Sequence, residues 1–294
     1  MNPSETATVG EPQQWPVGDV ELCAQTFGDR DAPPLLLIAG AHCAMDWWFD
    51  DFCIGLAAGG RFVIRYDHRD TGQSVSYPPG QPGYGFDQLT QDAVRLLNVF
   101  RARRAHLIGL SMGGGIAQRL ALEAPERVVS LALLSTSPGL RPGAPIYGDL
   151  PRMDPPLMQD FMNPPRPDYA DRGSVVESVV LSQRRLTGAG HFDEARVRAV
   201  AERVVARSVS MLATQTNHAM LDPGPEYRQR LGEIDAPTLV AHGTSDPLFP
   251  LGHGQALAAE IPGAQLLPLD GVGHQVPPEP SWPELTAALL RLSA

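Results

Sequence analysis

Short apolar runs alternate with amphipathic stretches from about residue 18 onward. LLLIA at 35–39 is bounded by Pro33-Pro34 and Gly40, and FVIRY at 62–66, AHLIGL at 105–110 and VVSLALLS at 128–135 follow. Continuous runs this short, set between turn residues, fit strands buried on both faces. The segments between them read as helices. In FDQLTQDAVRLLNVF at 86–100, Leu89, Ala93, Leu96, Leu97 and Phe100 fall on one face. MGGGIAQRL begins glycine-rich and continues as helix to about Pro125. Strand, helix, strand, helix predicts an α/β fold with a mostly parallel, doubly wound sheet.

The rhythm breaks after Thr136. From 137 to about 170 the chain carries Pro138, Pro142, Pro145, Pro151, Pro155, Pro156, Pro164, Pro165 and Pro167. No interior strand or long helix tolerates that density. Residues 171–231 are polar and Arg-rich, with VVESVVLSQRRL and ARVRAVAERVVARSV as helical segments. The α/β pattern then returns in PTLVAHG at 237–243, a helix near 252–261, AQLLPL at 264–269 and an amphipathic helix from Trp282 to Leu292. The expected organisation is a core of 1–136 and 236–294, interrupted by an insertion over 137–235.

The bulk numbers fit a globular protein. The chain has 294 residues, 43% hydrophobic and 19% charged, enough for one large domain with an insertion. A net charge of −10 argues against a nucleic-acid partner, which would need a basic face. Cys23, Cys43 and Cys53 lack the spacing of a disulfide framework or a zinc site. The N-terminal stretch has no basic region followed by an apolar run, and no segment approaches the roughly 20 apolar residues of a membrane span. The expectation is a cytoplasmic protein that does not engage a membrane. Nothing in the sequence sets an oligomeric state.

The chemistry concentrates in AHLIGLSMGGG at 105–115. With AHLIGL as strand and MGGGIAQRL as helix, Ser111 occupies the turn between them, and GLSMG matches G-x-S-x-G. So sharp a turn strains the serine backbone and excludes side chains beside it. Gly109 leaves room before Ser111, and Gly113 lets helix and strand approach. The helix N-terminus would present N–H groups to a developing oxyanion.

A nucleophilic serine needs a base, and the base an orienting carboxylate. His274, in DGVGHQVPP between the strand at 264–269 and the last helix, suits the base; His253 starts a helix and lacks such framing. Asp246, in GTSDPLFP after PTLVAHG, suits the acid. Asp222, Asp235 and Asp270 compete, but Asp235 precedes its strand, Asp222 lies inside the insertion, and Asp270 shares the His274 loop. The second oxyanion donor is expected after LLLIA, in GAHCAMDWW. Ala41 and Met112 would supply backbone N–H groups, unless this loop merely starts a helix.

These residues, in this order, resemble the α/β-hydrolase superfamily over essentially the whole chain. RYDHRDTGQS at 65–74, with GDVEL near 18–22 and GLSMGG, is similar to the aclacinomycin methylesterase group of serine esterases. The resemblance implies an α/β-hydrolase fold with a helical cap insertion, and hydrolysis of carboxylic esters through an acyl-enzyme. It carries Ser111, Asp246 and His274 over as the triad, with Ala41 and Met112 at the oxyanion positions. Two departures stand out. Asp70 replaces the glycine usual in the loop at 65–74, and Ala39-Gly40 stands where His-Gly often begins the oxyanion loop. His42 is a candidate pocket difference. Asp67, Arg69 and Asp70 read as a structural turn and ion-pair network.

Substrate is expected between core and insertion, against His42, Trp48, Leu248 and Phe249, with Trp47, Met112, Met158, Phe161 and Met162 as further lining. Such a wall favours a hydrophobic or polyketide-type ester. Serine at this position excludes the epoxide hydrolases and haloalkane dehalogenases of the fold, which use aspartate. Lactonases, C–C bond hydrolases and cofactor-free perhydrolases remain open, as does a silent ligand-binding receptor. No metal or organic cofactor is implied, since no HExxH-type spacing occurs.

Overall fold

Two interleaved sets of aliphatic side chains build the core. On the strand Pro34–Ile38, Leu36 and Ile38 pack to one side of the sheet while Leu35 and Leu37 pack to the other. This two-residue alternation, apolar on both faces, is what a central parallel strand requires. The computed structural model describes residues 8–139, 148–164, 166–188 and 190–292. Pro142, Pro145 and Pro165 of the proline-rich stretch, and the first seven residues, lie outside them.

The strands are β1 (Gln13–Val17), β2 (Val20–Phe27), β3 (Pro34–Ile38), β4 (Phe62–Tyr66), β5 (Ala105–Leu110), β6 (Val128–Leu134), β7 (Thr238–Gly243) and β8 (Gln265–Leu269). They form one eight-stranded sheet in the order β1-β2-β4-β3-β5-β6-β7-β8. β1 and β2 are antiparallel, β2 runs antiparallel to β4, and the remaining neighbours are parallel. The first helices around the sheet are α1 (Asp50–Ala58), α2 (Phe86–Val99) and α3 (Met112–Glu123). One core cluster joins Leu89 and Leu96 of α2 and Ile116 and Leu120 of α3 to Leu36, Leu131 and Val240. The other joins Phe52 and Leu56 of α1 to Leu35, Leu37, Ile108 and Leu134.

From β3 the chain runs to β4 on one side, then crosses to β5 on the other. The carboxyl ends of β3 and β5 therefore border the point where the strand order reverses, and there an open α/β sheet offers a crevice. Ser111 directly follows β5, and Ala41 lies three residues beyond β3.

Between β6 and β7 lie α4 (Pro155–Met162), α5 (Arg172–Leu186), α6 (Glu194–Arg207) and α7 (Met211–Thr216), with short 3-10 turns at Asn217–Met220 and Arg228–Glu233. Among the described residues of the proline-rich stretch α4 is the one helix, and its two prolines occupy the first turn, where no N–H is needed. Val175, Val176 and Val180 of α5 pack on Ala201 and Val205 of α6. Val200 and Val204, on the other side of α6, join the sheet's second cluster. At the end of α6, Arg207 forks onto Asp67 with two contacts of 2.7 Å and also reaches Asp46. After β7 come α8 (Gly252–Glu260) and α9 (Trp282–Leu292).

Trp48 departs from its expected role. It is fully buried, stacked on Phe52 with centroids 6.1 Å apart, and presents no surface to a ligand. The indole packs beside Phe52 of α1 in the cluster that also holds Leu35 and Leu37 of the sheet.

Candidate active site

Ser111 has φ 53° and ψ −119°, a conformation a non-glycine residue adopts only when its surroundings hold it. Its N–H donates to Leu134 O at 3.0 Å, and its carbonyl accepts from Thr136 Oγ1 at 2.7 Å. A Cβ at Gly109 would overlap the Gly113 carbonyl, and a Cβ at Gly113 would overlap the carbonyls of Ile38 and Ala39. The flanking glycines are thus steric requirements of the turn.

His274 lies in the loop between β8 and α9, and its N–H donates to Leu186 O at 2.7 Å. Its Nε2 lies 2.9 Å from Ser111 Oγ, and its Nδ1 lies 2.9 Å from Asp246 Oδ2. Asp246 follows β7. Its Oδ1 accepts the N–H groups of Leu248 at 2.9 Å and Phe249 at 2.8 Å, so the carboxylate is only 4% exposed yet well bonded. An ionised carboxylate only accepts, which assigns the proton to Nδ1 and leaves Nε2 to accept from the serine hydroxyl. The Phe249 ring packs edge-on against the His274 ring, centroids 5.2 Å apart.

The competing residues go elsewhere. Asp270 accepts from Thr244 Oγ1, and Asp222 caps Gly224 N. His253 does pair with a serine: its Nδ1 lies 2.7 Å from Ser137 Oγ. That ring is wholly buried, however, and its Nε2 donates to Pro151 O at 2.8 Å. Ser111, in contrast, is half-buried.

A Cβ on Gly40 would stand 3.4 Å from Ser111 Cβ, so the loop after β3 abuts the serine. Among the described residues, neither the Ala41 nor the Met112 N–H has a hydrogen-bond partner. Met112 also opens α3, where the helix dipole favours negative charge. Leu248 and Phe249 are half-buried beside Asp246, whereas Phe161 and Met162 of α4 are exposed, at 54% and 74%. A cleft of about 1020 Å³ opens behind the His274 loop, lined by Trp47, Phe49, Phe192, Arg196, Val276 and Trp282. Ser111 and Asp246 do not line it, so it is separate from this array.

The loop after β4 is a scaffold. Asp67 accepts Met45 N at 2.8 Å and Gln73 N at 3.0 Å besides Arg207. Arg69 forks onto Asp92 at 2.6 and 2.9 Å, both residues buried. Removing one member of such a pair costs about 3–5 kcal/mol, because the other charge is left buried alone. Asp70 has φ 64°, which explains the glycine usual at this point; here Tyr84 OH at 2.8 Å and Asn217 Nδ2 at 2.9 Å hold the carboxylate in place.

Sequence reasoning missed the residues that the insertion brings to the loop after β3. His218 Nδ1 accepts the His42 N–H at 3.0 Å, and the His42 ring donates from Nδ1 to Thr214 O at 2.6 Å. No spacing signal could have found this pairing, which joins residues 176 apart. His68, behind the same loop, donates from Nε2 to Ala39 O at 3.0 Å.

Burial holds His68 at about 4, against 6.5 for an exposed imidazole. As pH falls from 6.5 toward 4, the unfolded chain therefore binds a proton that the folded chain refuses. The associated stability is fully present above about pH 6.5 and is lost through that window, about 3 kcal/mol in all. His68→Gln keeps a donor for Ala39 O and cannot titrate. Urea unfolding near pH 7.5 and near pH 4.5 is expected to show the wild type losing stability relative to this variant; equal losses would contradict a buried neutral ring.

Burial also pushes the Cys23, Cys43 and Cys53 thiols up to about 12, so none is a thiolate at neutral pH. Among the described residues, no group of three or more His, Cys, Asp or Glu side chains is placed to hold a metal ion, and no helix is long and apolar enough to cross a membrane.

The fold and this array define a class: the chain belongs to the alpha/beta hydrolase fold family, which it matches over residues 33–279. It is a carboxylic ester hydrolase. Its relatives include rhodomycin D methylesterase DauP of Streptomyces sp. (strain C5), 35% identical over 273 residues, 88% of this chain and 90% of the relative. Rhodomycin D methylesterase DnrP of Streptomyces peucetius is 33% identical with the same coverage of both chains. Among solved structures, 2-hydroxy-6-oxo-6-phenylhexa-2,4-dienoate hydrolase from Rhodococcus sp. strain RHA1 superposes with a TM-score of 0.75 at 22% identity, covering 98% of this chain and 99% of that one. That likeness speaks for the fold.

Proposed function

We propose that Ser111, His274 and Asp246 are the nucleophile, base and orienting acid of an acyl-enzyme esterase. The observation that carries this reading is the unbroken line from Ser111 Oγ through both ring nitrogens of His274 to Asp246 Oδ2, with two contacts of 2.9 Å. Ser111 Oγ attacks the ester carbonyl while Nε2 takes its proton. Asp246 holds the tautomer and stabilises the imidazolium. The Ala41 and Met112 N–H groups bind the oxyanion; one such donor is worth about 3–4 kcal/mol in the transition state. The imidazolium then protonates the leaving alcohol. Water, deprotonated by the same ring, releases the acid and frees the serine.

In this reading residues 137–235 act as a cap over the strand ends, and His42, Leu248 and Phe249 line the substrate site. The substrate is a methyl ester of a hydrophobic, polyketide-type carboxylic acid, a reading supported by the 33–35% identity to two rhodomycin D methylesterases. The test is a panel measured for methanol and acid release. Methyl esters of polycyclic aromatic acids should exceed methyl acetate in kcat/KM by about a hundredfold, since burying several more carbons is worth that much. Faster lactone opening or C–C cleavage than ester hydrolysis would redirect the assignment within the fold.

A further inference from the structure

The loop after β3 makes a tight turn over Gly40–Cys43, closed by the Cys43 N–H to Gly40 O at 3.3 Å. Its third residue, His42, has φ 63°. Glycine or asparagine normally fills that position, because positive φ there reverses the central peptide relative to the commoner turn. The reversed peptide here joins Ala41 to His42, and its N–H needs an acceptor outside the turn. That acceptor is His218 Nδ1, at 3.0 Å. His218 is buried at 5% exposure, on the turn Asn217–Met220, and its Nε2 donates to Arg69 O at 2.8 Å. A carbonyl on one side and an N–H on the other permit one tautomer only: neutral, protonated on Nε2. The His42 ring adds a second tie to the same segment through Thr214 O.

We propose that His218 is a positioning residue: from the segment between β6 and β7, it fixes the Ala41–His42 peptide and so aims the Ala41 N–H at the reacting carbonyl oxygen. The inference rests on the proposed role of Ala41 as an oxyanion donor. Burial and the neighbouring His42 and His68 hold the His218 pKa well below 6.5, so Nδ1 keeps its lone pair at neutral pH. Without the acceptor, the strained turn relaxes and the Ala41 N–H loses its fixed direction. The oxyanion forms only in the transition state, so the loss should fall on kcat and spare KM.

Two near-isosteric variants separate positioning from simple packing. In His218→Asn the amide oxygen stands where Nδ1 stood and can still accept the His42 N–H. In His218→Gln the amide nitrogen stands where Nε2 stood, so the bond to Arg69 O survives while the acceptor is lost. Rates on one methyl ester are normalised to the folded fraction by fluorophosphonate titration. His218→Gln is expected to lower kcat about ten- to a hundredfold with KM within about threefold, and His218→Asn to recover most of the loss. Equal kcat losses in the Asn and Gln variants, or wild-type kcat in the Gln variant, would overturn the inference. If the Gln variant does not fold, a kcat loss in folded His218→Asn as large as that of an absent donor would overturn it. Ser111→Ala on the same ester is the control: activity surviving there would sink the proposed mechanism and not this inference specifically.

Discussion

Ser111→Ala is expected to lower kcat for methyl ester hydrolysis by about 10⁴- to 10⁶-fold while leaving the fold intact. The size follows from removing the only atom that forms the covalent bond; substrate binding and backbone donors keep a small residue of activity. The intact fold follows from the turn itself. Alanine carries the same Cβ as serine, so the φ of 53° is no harder to hold, and the backbone bonds to Leu134 O and from Thr136 Oγ1 do not involve the hydroxyl. Rates at saturating ester, with circular dichroism and a thermal scan on the same sample, check both halves. A loss of tenfold or less in a folded variant would remove Ser111 from the chemistry.

Asp246→Asn should cost about 10⁴-fold in kcat with little change in stability. The Leu248 and Phe249 N–H groups both donate to one carboxylate oxygen, at 2.9 and 2.8 Å. They will hold the amide oxygen of an asparagine at that place. The amide nitrogen then faces His274 Nδ1, where it is a donor. The imidazole must answer with a lone pair on Nδ1, which puts its proton on Nε2. A protonated Nε2 cannot take the proton of Ser111. The variant therefore keeps its geometry and carries the wrong tautomer. A loss under about tenfold would mean that the serine finds another base, or that Asp246 only supports the loop.

The parallel strands were legible because burial leaves few polar gaps in their sequences, single residues such as Arg65, His106 and Ser130: β3 through β8 begin and end within about a residue of the apolar runs. β1 and β2 were not legible. QQWPV is an exposed edge strand, and VELCAQTF carries Glu21, Gln25 and Thr26 among its apolar positions although most of it is buried. The serine turn was legible because its glycines answer a steric demand that sequence records directly. Asp246 and His274 were singled out by their places after strands, and the fold brings the His274 ring within 2.9 Å of both Asp246 Oδ2 and Ser111 Oγ. Trp48 was misread because a tryptophan beside a loop can turn either way, and only packing decided that it faces Phe52. His218 was invisible, since its partner lies 176 residues away and nothing in the insertion around it forms a motif.

The central claim is that the acyl group passes through Ser111 Oγ. Trypsin cuts after Arg104 and Arg119, and the peptide AHLIGLSMGGGIAQR between them contains Ser111 as its only hydroxyl-bearing residue. Wild-type enzyme treated with a fluorophosphonate, or quenched during turnover of a slowly deacylating ester, should carry the adduct mass on this peptide in step with lost activity. Inactivation with the adduct on another peptide, or turnover with no serine adduct under either condition, would contradict the account.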